Sequence, residues 1–383
     1  VLCMSKLPKF QLEDYLSARE FSAPFMLGGS DSETFSLSEI LALADSETRK
    51  IWDELSLHYT EPYGMPILLE EIAGLYGDEI KGANILSFAG AEEGIYCLCH
   101  ALLDPTDHAI VVTPCYQSLE SVPSSLCGVT EVALDEMCGW ELHVDRIMEA
   151  IKPKTKLLLI NYPHNPTGAV ITKTQQKQLI EIARTNDLWI FSDEVYRNLE
   201  LEPSNRLPTM ASVYEKGISL GVMSKSFGLP GLRVGWIAAQ SRQLLSELSN
   251  VKHYLSICNS APSEVLALIA LRNKDKILAR NLDIIQSNIT LLDGFFSDQV
   301  DLFAWTRPKG GCIGFPKIKS HLNSDVFAEK LLSTKGVLVV PASVFKLQGN
   351  FFRVGFGRKN LPDALRLVRD FVEDEMQVKW RGF

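Results

Sequence analysis

Seven short apolar runs constrain what this 383-residue chain can fold into more than any other feature. They cover residues 84–88, 108–113, 129–134, 156–161, 188–193, 218–223 and 234–238. Several are apolar at consecutive positions, and Leu157-Leu158-Leu159-Ile160 is the clearest. A strand wetted on one face alternates apolar with polar residues, so an unbroken run belongs to a strand covered on both faces. Helical patterns lie between most of the runs. Thr172 opens one of them, and Gln175 three residues on completes a capping box. Strand–helix alternation builds a mainly parallel sheet with helices on both sides. The last connection differs. Ten residues rich in Gly and Pro separate Met223 from Val234, too few for a helical crossover. The seventh strand is therefore expected to run antiparallel to its predecessor.

The C-terminal part changes character. Residues 264–296 read as one long helix. Residues 303–305, 311–315, 337–340 and 352–356 read as strands of a smaller sheet, and 361–375 as a closing helix. The expected organisation is an α/β fold: a large domain at 44–274 with a seven-stranded sheet, a smaller α+β domain at 275–383, and an arm at 1–43 that packs with the small domain. A hydrophobic content of 46% fits a folded globular chain and excludes disorder for its bulk. The net charge of −9 argues against non-specific nucleic-acid binding. No apolar stretch approaches the roughly 18 residues of a membrane helix. The first twenty residues carry charges and no apolar core, unlike a signal peptide. Eight cysteines include no Cys-x-x-Cys pair. Cys97 and Cys99 sit on a helical run, pointing to different faces, and read as small core residues. Seven histidines, His321 among them, show no metal-ligand spacing, so no metal is expected. The whole reads as a cytoplasmic protein.

In open parallel sheets, ligands bind beyond the carboxyl ends of the strands. The first run is followed by Ala89-Gly90-Ala91-Glu92, the fourth by Tyr162-Pro163-His164-Asn165-Pro166-Thr167-Gly168. The fifth ends in Asp193, with Tyr196 three residues on. The sixth is followed by Ser224-Lys225 and then by Arg233. One sheet edge thus collects a lysine, an aspartate, an asparagine, a tyrosine, an arginine and a helix N-terminus. Taken in order and spacing, these segments resemble the pyridoxal-5′-phosphate (PLP) dependent class I/II aminotransferases, on the aspartate aminotransferase fold, known as fold type I. The resemblance runs from about Tyr59 to Arg353. It is carried by Asn165, Asp193-x-x-Tyr196, Ser224-Lys225 and Arg233 as an ordered set, since Asn-Pro-Thr-Gly alone occurs by chance.

The resemblance implies a role for each matching residue. Lys225 is the Schiff-base lysine and proton shuttle, its amine made usable by burial. Asp193 keeps the pyridine nitrogen protonated, while Tyr196 and Asn165 bond the cofactor 3′-oxygen. The backbone of Ala91 and Glu92 at a helix start, with Arg233 and Ser224, holds the phosphate. The Glu92 side chain is expected to turn away from it. Val222 stands where many relatives carry a hydroxyl for that phosphate, and Ser224 is the expected substitute. Tyr116 stacks on the cofactor ring. Tyr59, five positions before Gly64, matches a tyrosine that reaches the neighbouring subunit's phosphate, which implies a homodimer with shared sites. Arg353 clamps the substrate α-carboxylate with its planar fork, and Gly29 belongs to a segment that closes over the substrate. His164 reads as a turn residue.

The implied activity is transfer of an amino group between an α-amino acid and a 2-oxo acid, by a ping-pong mechanism through a Lys225 Schiff base. The alternative keeps the cofactor and changes the outcome: a lyase, or a cyclase of the capreomycidine synthase kind. A regulatory domain on the same fold would carry a DNA-binding domain as well, and the residues before Tyr59 are too few and too acidic for one. No second carboxylate-binding arginine can be assigned from the sequence.

Overall fold

The computed structural model describes residues 7–320 and 322–377. Cys3 and His321 lie outside them. Its centre is a seven-stranded sheet: β1 (Ile85–Phe88), β2 (His108–Thr113), β3 (Gly128–Ala133), β4 (Thr155–Asn161), β5 (Trp189–Asp193), β6 (Gly217–Val222) and β7 (Gly235–Ala239). The spatial order is β1-β7-β6-β5-β4-β2-β3. β7 is antiparallel to both its neighbours, as its short connection requires, and all other pairs are parallel. Each strand lies within one residue of its expected bounds at either end.

Alternate residues of β4 show why the run is continuous. Leu157 and Leu159 enter a core with Leu98 and Cys99 of the helix Ala91–Leu102. Leu158 and Ile160 enter a second core with Leu179 and Ile180 of the helix Lys173–Thr185. Only the edge strand β3 is largely wetted. The capping box at Thr172 is formed: Gln175 N donates to Thr172 Oγ1 at 3.1 Å, and Thr172 N to Gln175 Oε1 at 2.7 Å.

The C-terminal part departs from expectation in two places. The expected helix 264–296 is two helices, Ala261–Arg272 and Lys274–Asp298. Asn273 breaks it, since its side-chain amide donates to Ile269 O at 2.9 Å, the carbonyl its own backbone N–H would take in a continuing helix, and to Leu43 O at 3.0 Å. The single smaller sheet is three small pairings. Ile313–Gly314, Phe352–Gly355 and Val340–Pro341 form one. Phe303–Ala304 pairs with Lys317–Ile318, a strand the sequence did not signal. Val337–Leu338 pairs with Phe25–Met26 of the N-terminal arm. Prolines at 316 and 341 lack the N–H that would extend these ladders. The closing helix is α-helical over Leu361–Phe371 and widens into a π-turn at Val372–Gln377.

The seven described cysteines are free. No helix among the described residues is long and apolar enough to cross a membrane.

Candidate active site

The parallel strands bring their carboxyl ends to one edge. The start of β7 joins them there, since Gly235 is registered with both Phe88 and Val222. A Cβ on Gly235 would lie 2.8 Å from Gly90 C and 2.9 Å from Ala91 N, so the helix Ala91–Leu102 begins hard against β7. Gly90 adopts φ 91, and a side chain there would collide with the Arg233 guanidinium. Arg233 itself sits in the left-handed region at φ 51, a conformation that costs a non-glycine residue about 1 kcal/mol. A cation is thus held against the free N–H groups of a helix N-terminus, which is a cradle for an anion. Val222 is buried and brings no hydroxyl to it, while Ser224 is buried immediately before Lys225. The Glu92 carboxylate accepts a hydrogen bond from Ser118 Oγ, and burial raises its pKa.

Asn161 organises the middle of the edge. Its Nδ2 donates to Asp193 O at 2.9 Å, and its Oδ1 accepts from Asn165 N at 2.8 Å. The carboxylate of Asp193 is buried and accepts from Val195 N at 3.2 Å. Burial pushes its pKa up to about 7, against the opposing pulls of the Val195 N–H and the charge of Lys225. Lys225 Nζ donates to Ser30 Oγ at 2.9 Å. Burial lowers its pKa, Asp31 opposes that shift and Arg353 adds to it. Tyr196 is 1% exposed and its hydroxyl finds no partner among the described residues. The Ser30 hydroxyl beside it is engaged by Lys225. A buried hydroxyl left so costs about 1–3 kcal/mol, which a ligand oxygen would relieve.

Arg353 is 1% exposed. Its Nε and Nη2 donate to Gly28 O at 3.1 and 2.9 Å, and its Nη1 to Asn165 Oδ1 at 3.3 Å. Burial works against its charge, though not enough to neutralise an arginine at pH 7. Gly28, rather than Gly29, supplies the carbonyl. Gly29 packs beside Arg358, whose Nη2 meets both oxygens of Asp31 at 2.8 and 3.0 Å. Tyr116 caps the helix Gln117–Ser124, its hydroxyl donating to Glu13 Oε1 at 3.1 Å and its ring 5.4 Å from that of Phe10. His164 is buried with Nδ1 on Thr167 Oγ1 at 2.8 Å, and burial pushes its pKa down to about 3.

The structure thus gathers Ala91, Glu92, Asn165, Asp193, Tyr196, Ser224, Lys225, Arg233 and Arg353 on one edge, with Tyr116 beside it. Tyr59 stands outside the group at 81% exposure. Sequence reasoning missed Asn161, hidden as the last residue of a strand. It also missed Ser30, Asp31 and Arg358, which no spacing connects to Lys225. One further group, Asp135, Cys138 and His143, sets three potential metal-ligand atoms within 4.8 Å. There His143 Nε2 already meets Asp135 Oδ2 at 3.0 Å, and Arg146 lies 3.6 Å from the same oxygen, a charge that opposes a metal cation.

The model of the family "aminotransferase class I and II" matches residues 43–366, and the chain belongs to that family. Its structure is similar to that of a PLP-dependent aminotransferase from Streptococcus suis, with a TM-score of 0.90, 32% identity, and coverage of 96% of this chain and 98% of that one. It is 29% identical over 387 residues to a capreomycidine synthase of Streptomyces vinaceus, covering 98% of this chain and 97% of the relative. It is 28% identical over 338 residues to a probable aspartate aminotransferase of Methanocaldococcus jannaschii, covering 85% and 88%.

The Asp193 carboxyl has a testable consequence for stability. It titrates near 4 in the unfolded chain and at about 7 in the folded one. Between those values the folded state holds a proton that the unfolded state has released. This group's contribution is therefore full below the lower value and is lost as pH rises through the upper one. Asp193→Asn abolishes the titration. Without bound ligand, the variant should gain on the wild type between about pH 5 and about pH 8 by on the order of 2 kcal/mol, read from urea midpoints. A difference that does not vary with pH would contradict the raised carboxyl.

Proposed function

We propose that this chain is a PLP-dependent aminotransferase that moves an amino group between an α-amino acid and a 2-oxo acid by a ping-pong mechanism. The observation that carries the reading is the convergence of Lys225, Asp193, Tyr196, Asn165, Arg233 and Arg353 on one sheet edge. The donors fit the cofactor. A phosphate suits the Ala91–Glu92 N–H groups and Arg233, with Ser224 beside them. A protonated pyridine nitrogen suits the buried Asp193. A phenolic oxygen suits Asn165 and the buried Tyr196 hydroxyl, and the ring face suits Tyr116. Bound there, PLP supplies an electron-withdrawing ring that acidifies the substrate Cα–H.

The protein's own residues do the rest. A cationic N–H beside Asp193 would hold it ionised, against the burial that now favours its neutral form. The Lys225 amine, its pKa lowered by burial, would take the proton from the substrate Cα and deliver it to C4′ of the cofactor. The Arg353 fork binds the α-carboxylate and fixes the angle of the Cα–H. The strap at Gly28–Ser30, Gly29 included, closes over the substrate and excludes water.

A second reading rests on the similarity to the capreomycidine synthase. The same residues would hold the same cofactor, and the reaction would be an elimination or cyclisation of a single amino acid. We also propose a two-domain organisation divided near Asn273, with the arm at 1–43 packing on the C-terminal domain, and a reducing, cytoplasmic setting, supported by the free cysteines.

A homodimer with shared sites completes the proposal. Leu57, Tyr59 and Tyr254 are 84%, 81% and 86% exposed. Their segments are tied together by Thr60 Oγ1 on Asn259 O at 3.0 Å and Lys252 Nζ on Pro62 O at 2.7 Å. Large apolar side chains grouped in this way suit a partner surface.

Two measurements test these points. Amino donors should be consumed only when a 2-oxo acid is present, with parallel double-reciprocal lines. Ammonia or a cyclised product from an amino acid alone would overturn transamination in favour of the second reading. The protein should sediment at twice the chain mass, and a fully active monomer would remove the shared-site role of Tyr59.

A further inference from the structure

The helix Gln11–Ser17 is tied to two distant stretches of the chain. At one, Gln117 Oε1 accepts from Gln11 N at 2.8 Å, and Gln117 Nε2 donates to Lys9 O at 2.9 Å. At the other, Tyr15 donates to Val339 O at 2.8 Å. One carboxylate of this helix is turned to the site. Glu13 accepts from Tyr116 Oη at 3.1 Å, and its charge acts on Lys225, Arg353 and Glu92. Its neighbour Asp14 is paired with Lys9 at 2.9 Å, whereas Glu13 has no ion-pair partner among the described residues.

The cations of the site are differently placed. Arg353 is buried at the α-carboxylate end and Arg233 lies in the phosphate cradle. Arg358 is taken by both oxygens of Asp31. Among the described residues of this chain, a second substrate carboxylate would meet Glu13, which has no ion-pair partner there, and a buried Glu92, and Arg233, Arg353 and Arg358 are each already placed elsewhere. A positive side chain would meet the reverse, a charge-assisted acceptor already oriented by a phenol.

We infer that Glu13 is a specificity-determining residue that selects α-amino acids with a guanidinium- or ammonium-ended side chain. The inference rests on the aminotransferase reading and names the substrate class of that site. Discrimination comes from both signs of the interaction: attraction of the cation, and repulsion of a dicarboxylate. Glu13 is exposed and lies on the first helix, so an isosteric change leaves the fold intact.

The test titrates the PLP-loaded protein by calorimetry with unreactive analogues that lack the α-amine. They are δ-guanidinovalerate and ε-aminocaproate, with δ-ureidovalerate as the neutral match of the first. The wild type should bind at least one of the cationic analogues about tenfold more tightly than the neutral one. The ratio should collapse towards unity in Glu13→Gln and survive in part in Glu13→Asp. Equal binding of all three, no binding of any, or a preference that persists in Glu13→Gln would overturn the inference. A protein that transfers amino groups from neutral donors yet shows no cationic preference would fail this inference alone. A protein that loads the cofactor and transfers no amino group would fail the reading beneath it.

Discussion

Covering a strand on both faces leaves its polar chemistry little room. Side chains of β4 must be apolar in both directions, and the backbone is spent on neighbouring strands. Polar function can then appear only where a strand ends. In a parallel sheet all those ends fall on one edge, and the antiparallel β7 adds its beginning to the same place. The site follows from this constraint: Asp193 is the last residue of β5, Asn161 the last of β4, and Lys225 lies three residues beyond β6.

The same burial sets the chemistry. Removing Lys225, Asp193 and Arg353 from water disfavours the charged form of each, and the causes are ordered alike in all three, with desolvation first. The carboxyl gains protons and the amine loses them. Such groups are poor at holding a fold together, since each is costly to bury. They suit a ligand that brings the missing partners, and the Tyr196 hydroxyl, buried without a hydrogen-bond partner among the described residues, has the same need.

Much of the fold was legible because burial leaves a mark on local sequence. The seven sheet strands and the Thr172 capping box are short-range patterns, and they were read within a residue or so. The break at Asn273 was hidden, because it depends on one side-chain amide competing for one carbonyl rather than on hydrophobic spacing. The small C-terminal pairings are mostly two residues long, shorter than any periodicity can register. In the site, Asp193 and the residues that follow the strand ends were found from their order along the chain, whereas Asn161, inside its apolar run, was not. Ser30, Asp31 and Glu13 were not, because their contacts with Lys225, Arg358 and Tyr116 join distant parts of the chain. Ser30 and Lys225 stand 195 positions apart, and nothing local marks such a contact.

The central claim is that the Lys225 amine forms the covalent link to PLP. Its most direct test is borohydride reduction of the PLP-loaded protein followed by peptide mapping. The visible absorption band should disappear on reduction, and the cofactor should be found covalently on Nζ of Lys225 and absent from a Lys225→Ala variant. A band that persists in Lys225→Ala, or a reduced cofactor mapped to another lysine, would contradict the account.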